Sequence, residues 1–270
     1  MSAHSGLLLR LAGPLSAYGT QAAFTHRDTN IHPTRSAVIG LLAAAAGRPR
    51  NQVLHPFSDL PGHPTYHDLT LTIRIDKPGT LHTDYHVTGG GYPRPMSLRT
   101  STGNHRPPSG SALPSHRIYL ADAAFTLALT GPPHLIDTIA DQLEHPHYAP
   151  YLGRRACVPD EPLVLGKPLT DPVHHLLHHT PLTLPNPPRP DAETVPVTVV
   201  WEQPPTHTSA ARPYELTDQP RDYTQETRQY SRRRPWHTTE HLPAHLYAGR
   251  HPQTALADYL EREPSCTKRA

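Results

Sequence analysis

At 270 residues the chain can bury a real core, as one large domain or two small ones. Its formal net charge is only +2 with histidines neutral, so overall charge does not mark it as a nucleic-acid binder. No apolar run is long enough to cross a bilayer. The leucine run at 7–9, interrupted by Arg10, makes a poor signal peptide, and two distant cysteines, Cys157 and Cys266, make no disulfide framework. These features predict a cytoplasmic protein with no membrane partner.

Leu7, Leu9 and Leu11 alternate with Leu8 and Arg10, which predicts a short first strand ending at Gly13-Pro14. A loop with Tyr18-Gly19 and Phe24 leads into a helix over about 34–46 that ends on Gly47. Arg27, Arg35 and Ser36 surround the start of that helix. A helix start offers unpaired N–H groups and a partial positive charge, which suits a phosphate or nucleic-acid backbone. The same pattern also suits a buried helix with an ordinary polar cap.

Leu69, Leu71, Ile73 and Ile75 alternate with Thr70, Thr72, Arg74 and Asp76, predicting a half-buried strand. Phe125, Leu127 and Leu129 repeat the pattern, and Leu135, Ile136, Ile139, Ala140 and Leu143 then share one helical face. Between these strands lies a glycine- and proline-rich excursion, 77–120. Segments 84–86 and 118–120 could pair as its base beneath a flexible basic tip. Residues 177–191 read as a proline-rich linker or surface loop, and 195–201 as a later strand. The order is that of a β-α-β-β-α-β ferredoxin-like domain, an α+β class with two helices on one antiparallel sheet face. The aromatic RNP1 pattern of RRM domains is absent. The expected division is 1–168 for this domain and 169–270 for a connection plus a smaller, mainly β region.

Arg221, Arg228, Arg232, Arg233 and Arg234 are interleaved with Tyr223, Tyr230 and Trp236. Guanidinium groups meet phosphates while rings stack on bases, so such a strip suits single-stranded nucleic acid, although a solvated surface strip has the same composition. His174, His175, His178 and His179 form i,i+4 pairs if helical, but no cysteine or carboxylate stands at ligand spacing beside them, and a polar loop or short surface helix is the expectation. Gly89-Gly90-Gly91 lacks the lysine and spacing of a phosphate loop. No metal and no cofactor are expected.

Several segments, in order, resemble one family. They are residues 9–14 (Leu-Arg-Leu-Ala-Gly-Pro), Pro33-Thr34-Arg35-Ser36 with Gly40-Leu41-Leu42 and Gly47, Asp84-Tyr85-His86 and residues 122–126. Most specific is Pro150-Tyr151-Leu152-Gly153-Arg154-Arg155 with Cys157 and Pro162-Leu163. Together they resemble the CasD family, RAMP-type backbone subunits of the type I-E CRISPR surveillance complex Cascade. The resemblance implies a modified ferredoxin-like domain that grips the 5′ handle of crRNA, with the long insertion as a β-thumb over the guide. It implies CasC and CasA as neighbouring subunits, and target DNA read by pairing with the guide. Carried over by position, Arg27, Arg35 and Ser36 would contact handle phosphates, and Tyr151, Arg154 and Arg155 would form a second wall. His86 and Arg117 would lie at the thumb base. Physically, Gly153 would let the backbone approach RNA, and two adjacent arginines can fork onto successive phosphates.

The alternative is a metal-independent endoribonuclease that processes repeat RNA. Such cleavage needs a base for the 2′-hydroxyl and donors for the developing charge, and His82, His86, His116 and His147, together with Tyr85 and Tyr151, are candidates. The resemblance is to the branch in which a separate subunit, CasE, cuts the RNA. A noncatalytic clamp is therefore the expected role.

Overall fold

The computed structural model describes residues 5–20, 22–23, 25–100, 102–107, 110–166, 168–205, 212–224 and 228–262. Phe24 and Cys266 lie outside them. In chain order the elements are β1 (Ser5–Ser16), β2 (Ala22–Ala23), β3 (His26–Arg27), α1 (Arg35–Ala45), β4 (Thr70–Lys77), β5 (Thr80–Thr88), β6 (Leu113–Gly131) and α2 (Pro133–Glu144). They continue with α3 (Pro172–His178), β7 (Thr194–Trp201), β8 (Arg212–Pro213), β9 (Leu216–Asp222), β10 (Gln229–Arg233), β11 (Trp236–Pro243) and α4 (Pro252–Arg262).

One long strand organises this mixed helix-and-sheet molecule. β6 runs for 19 residues and pairs antiparallel with β1, β4 and β5, and parallel with β3. β4 continues the sheet to β7, β7 to β11 and β11 to β8, while β9 and β10 form a separate ribbon. Most strands after residue 168 therefore extend the sheet laid down before it, because β7 hydrogen-bonds directly to β4.

The alternating leucines explain the register. Leu7, Leu9 and Leu11 stand opposite Leu129, Leu127 and Phe125, and Leu71 and Ile73 meet Leu129 and Leu127 from the other flank of β6. This face packs on Val38, Ile39 and Leu42 of α1 and Leu135, Ile136 and Ile139 of α2, all buried. Burying each such side chain stabilises the fold by about 1.5–3 kcal/mol. The opposite face is also covered: Leu8 and Ala128 pack with Leu165, Leu169, Leu176 of α3 and Leu256 and Tyr259 of α4. Helices thus cover both faces, where the sequence suggested one.

β4 is not half-buried. Its polar residues Thr72, Arg74 and Asp76 are as hidden as its apolar ones. The Arg74 guanidinium is fully enclosed and pairs with Asp76, Nε to Oδ1 at 2.6 Å and Nη2 to Oδ2 at 3.0 Å. It also donates to the carbonyls of Leu176, Thr180 and Pro181, and Thr126 Oγ1 donates to Asp76 at 2.8 Å. A buried charge is tolerable only when paired and fully hydrogen-bonded, and here the carbonyls at the end of α3 complete the shell. The expected linker at 177–191 accordingly begins as core, with Thr180 and Leu182 both 0 % exposed.

Two further expectations are corrected. β1 does not stop at Gly13-Pro14: pairing resumes at Leu15↔Ala121, past the point where Asp122 takes a left-handed φ of 56°. The excursion is a hairpin whose base pairs in a different register from the one expected: 84–86 lie opposite 115–117, and 118–120 lie opposite 81–83. β5 pairs with β6 from Thr80↔Ala121 to Thr88↔Leu113, so Asp84 meets Arg117. Its tip is fastened by Ser97 Oγ donating to Arg106 O at 2.7 Å and by a Thr100 N–H to Asn104 O bond at 2.7 Å.

The histidines at 174–179 fall on and just past the short helix α3, capped by Asp171 accepting from the His174 N–H at 2.9 Å. Among the described residues no cluster of three or more His, Cys, Asp or Glu could hold a metal ion. Among them, too, no helix is long and apolar enough to cross a membrane.

Candidate nucleic-acid interface

The start of α1 is already occupied by the protein itself. Thr34 Oγ1 accepts from the Ala37 N–H at 3.3 Å, and Asp218 Oδ2 from β9 accepts from the Arg35 N–H at 2.7 Å. The Arg35 guanidinium turns inward, pairing with Glu202 at 2.5 Å and donating to the carbonyls of Tyr66, His67 and Leu69 at 2.9–3.2 Å. Arg233 closes the network, bidentate to Asp218 at 2.5 and 2.8 Å and reaching Glu202 at 3.1 Å. A helix N-terminus attracts a carboxylate as readily as a phosphate, and here the carboxylate comes from within the chain. Arg35, expected as a handle contact, is therefore buried, with its guanidinium engaged inside the protein.

His32 sits just ahead of this cap, 0 % exposed, with its ring against Tyr214 and His237. Burial pushes its imidazole down to about 4, against the smaller opposing effect of its hydrogen bond to the Pro33 carbonyl at 2.9 Å.

The open surface lies further along the same helix. A cavity of about 340 Å³ runs beside α1 and is lined by Ser36, Gly40, Tyr151 and Gly153 together with Arg48, Arg50, Tyr148, Arg228 and Tyr230. Gly40 faces this space with nothing within 4 Å of where a Cβ would stand. Glycine inside a helix costs roughly 0.5–1 kcal/mol relative to alanine, so its presence suits a wall that must stay bare. Gly153 is required for another reason: its φ is +82° and an added Cβ would lie 1.7 Å from the Ala17 carbonyl oxygen. It brings the Tyr151 turn against β1, as does the Ala17 N–H to Leu152 O bond at 3.0 Å.

Cations and rings alternate around the cavity. Arg48 is held over the Phe57 ring at 4.1 Å, and Arg50 and Arg228 are exposed. Tyr148 is 59 % exposed, Tyr151 and Tyr230 are half-buried, and Tyr230 meets Tyr223 edge-on at 6.1 Å. Burial drives the Tyr223 phenol upward, so it stays neutral. This lining can take phosphate charge and planar rings together. Arg48, Arg50 and Tyr148 were missed in the sequence. Their one local signal is that 48 and 50 directly follow the Gly47 that ends α1.

The remaining expected residues divide. Arg154 is a fastener: it donates to the carbonyls of Ile118, Arg27 and Asp28 at 3.0–3.1 Å and lies 4.5 Å over the Tyr119 ring. Its guanidinium is thereby engaged with the backbone, unlike the exposed Arg155 beside it. Arg27 is exposed on β3 and stands level with Arg117, which stands level with Asp84, at the hairpin base. Arg117 donates to Ser115 Oγ at 3.3 Å, and His86 Nδ1 lies 3.6 Å from Asp84. Ser36 and Tyr151 thus share the cavity, while Arg27, Arg117 and His86 belong to the hairpin base. In the arginine–aromatic strip, Arg233 is internal, Arg232 and Arg234 pair with Glu215, Arg221 donates to Ser231, and Arg228 reaches the cavity.

The chain thus presents a mixed sheet with a hairpin insertion and a basic, tyrosine-lined cavity beside its first helix, a lining of the kind that suits nucleic acid. The profile of the family described as CRISPR-associated protein (Cas_Cas5) matches residues 6–235. The chain belongs to this family. It is 34 % identical over 192 residues to the CRISPR system Cascade subunit CasD of Escherichia coli (strain K12), covering 66 % of this chain and 78 % of that protein. A solved chain from a CRISPR RNA-guided surveillance complex superimposes with a TM-score of 0.80 at 40 % identity, covering 95 % of this chain and all (100 %) of its own. A solved Cas protein matches with a TM-score of 0.55 at 27 % identity, covering 90 % of this chain and 97 % of that one.

Proposed function

We propose that this chain is a noncatalytic subunit of a type I-E CRISPR Cascade that binds and caps the 5′ handle of crRNA. The observation that carries the reading is the cavity beside α1, where three arginines and several tyrosines converge around a bare helix wall at Gly40. Its volume of about 340 Å³ is at the small end of the roughly 300–1,000 Å³ usual for ligand sites, so it suits a splayed single strand rather than a duplex. The likeness to a protein named as a Cascade subunit, and to a chain of a surveillance complex, supports the same role.

In this reading the core is a modified ferredoxin-like RAMP domain and the β5–β6 hairpin is its thumb. Arg50, Arg155 and Arg228 meet handle phosphates, Tyr148, Tyr151 and Tyr230 stack on unpaired bases, and Ser36 donates from the helix wall. Arg27, Arg117 and His86 meet the strand as it passes the thumb base. CasC and CasA flank the chain, target DNA pairs with the guide, and the assembly works in the cytoplasm. The protein's part is positioning. Shape and backbone are read by side chains, and sequence is read by base pairing.

The test is handle-RNA binding by the full chain across a salt series. Arg50→Ala with Arg228→Ala should weaken binding and flatten the logarithmic salt slope by about 0.7 for each phosphate no longer neutralised. An unchanged affinity and slope would remove the cavity from the interface. Cleavage of the RNA by the wild-type chain in EDTA would favour an endoribonuclease instead.

A further inference from the structure

Three rings stand in one row across the base of the thumb. β3 and β5 flank β6 so that His26 and Tyr85 both lie directly opposite His116. The His26 and His116 rings are stacked, with centroids 5.1 Å apart and planes at 20°, and Tyr85 follows at 5.3 Å and 56°. All three are exposed, Tyr85 by 62 % of its surface.

The row is held in place. β3 has only two residues, yet the Arg154 bonds to Arg27 O, Asp28 O and Ile118 O tie it to β6, and the His116 N–H donates to Thr25 O at 2.7 Å. Successive strand residues point to opposite faces, so Thr83, Val87, Pro114 and Ile118 share the ring face. None of these is acidic. The one carboxylate in these rungs, Asp84, falls in the adjoining row, level with Arg117.

We propose that the Tyr85–His116–His26 row is a stacking platform for unpaired bases of single-stranded RNA, a second contact beyond the cavity beside α1; it rests on the RNA-binding reading above. Leaving three adjacent rings in water forgoes burial, and a planar ligand recovers it by stacking on the His26–His116 pair or against the tilted Tyr85 ring. Bases do this regardless of sequence, because each presents a π-face. The absence of carboxylates among the residues that share this face leaves it open to a polyanion, while Arg27, Arg117 and Asp84 lie together in the adjoining row on the other face.

The test uses the full chain and repeat RNA carrying 2-aminopurine at one position at a time. In the wild type, one or two adjacent positions are expected to be quenched by stacking. Tyr85→Ala and His116→Ala should abolish that quenching and weaken binding about tenfold each, with the salt slope unchanged because neither ring neutralises a phosphate. Tyr85→Phe should restore both. Quenching that persists in Tyr85→Ala and His116→Ala overturns the platform while leaving the handle reading intact. So does a defect seen only in retention of partner subunits, which would make the row a protein contact. If the wild-type chain takes up no RNA, alone or in the assembled complex, both readings fall.

Discussion

The carboxylate of Asp218 lies 2.7 Å from the backbone nitrogen of Arg35, at the place where an external anion would meet the start of α1. One contact thus joins the β9–β10 ribbon to the first helix and closes the helix end to ligands. It moves the candidate site away from the helix tip and onto the helix side, at Gly40.

Asp218 is 1 % exposed and carries the Arg233 pair as well as the cap. Asp218→Ala should destabilise the chain by about 3–5 kcal/mol, the cost of stranding a buried partner charge. Chemical denaturation with the slope held constant measures it. A loss below about 1 kcal/mol would show that the ribbon does not depend on this contact.

His32 makes stability depend on pH. Unfolded, its imidazole takes a proton near 6.5, while in the folded chain burial delays this to about 4. The unfolded state therefore binds more protons across that window, so stability falls as pH drops from about 6.5 to about 4 and levels off below. The size is on the order of 3 kcal/mol. His67 and His237, also pushed down by burial, act in the same direction. His32→Gln should start less stable and lose most of this slope. A parallel pH profile in the variant would contradict the assignment.

Arg154 and Arg155 should separate cleanly although they are neighbours. Arg154→Ala removes three backbone hydrogen bonds and should cost about 1.5–3 kcal/mol of stability. Arg155→Ala, on an exposed side chain, should leave stability within about 0.5 kcal/mol and weaken RNA binding. Equal stability losses would mean that Arg155 is also a fastener.

The period-two leucines at 7–11 and 125–129 made the central strands legible, because each alternate residue meets a helix-covered core. The helix at 34–46 was legible from its cap and its closing glycine. Arg35, by contrast, looked like a ligand contact because nothing local shows that Glu202 and Asp218, some 170–180 positions downstream, fold back onto it. Arg74 hid for the same reason, since its carbonyl partners come from 176–181. The cavity combines residues near 36–50, 148–153 and 228–230. No spacing rule joins such segments; only the resemblance singled out Ser36 and Tyr151 together.

Gly40 gives the most direct test of whether the cavity beside α1 holds the RNA handle. A Cβ there would have no heavy atom within 4 Å and would point into the cavity's space. Gly40→Leu should therefore leave the fold intact, and helix propensity should raise its stability by up to about 0.5–1 kcal/mol. Fluorescence anisotropy with end-labelled handle RNA in EDTA, on wild-type and Gly40→Leu chains with and without partner subunits, reads the site itself. The expected result is a folded variant whose handle affinity falls by tenfold or more. A folded Gly40→Leu chain that binds the handle as tightly as the wild type would contradict it.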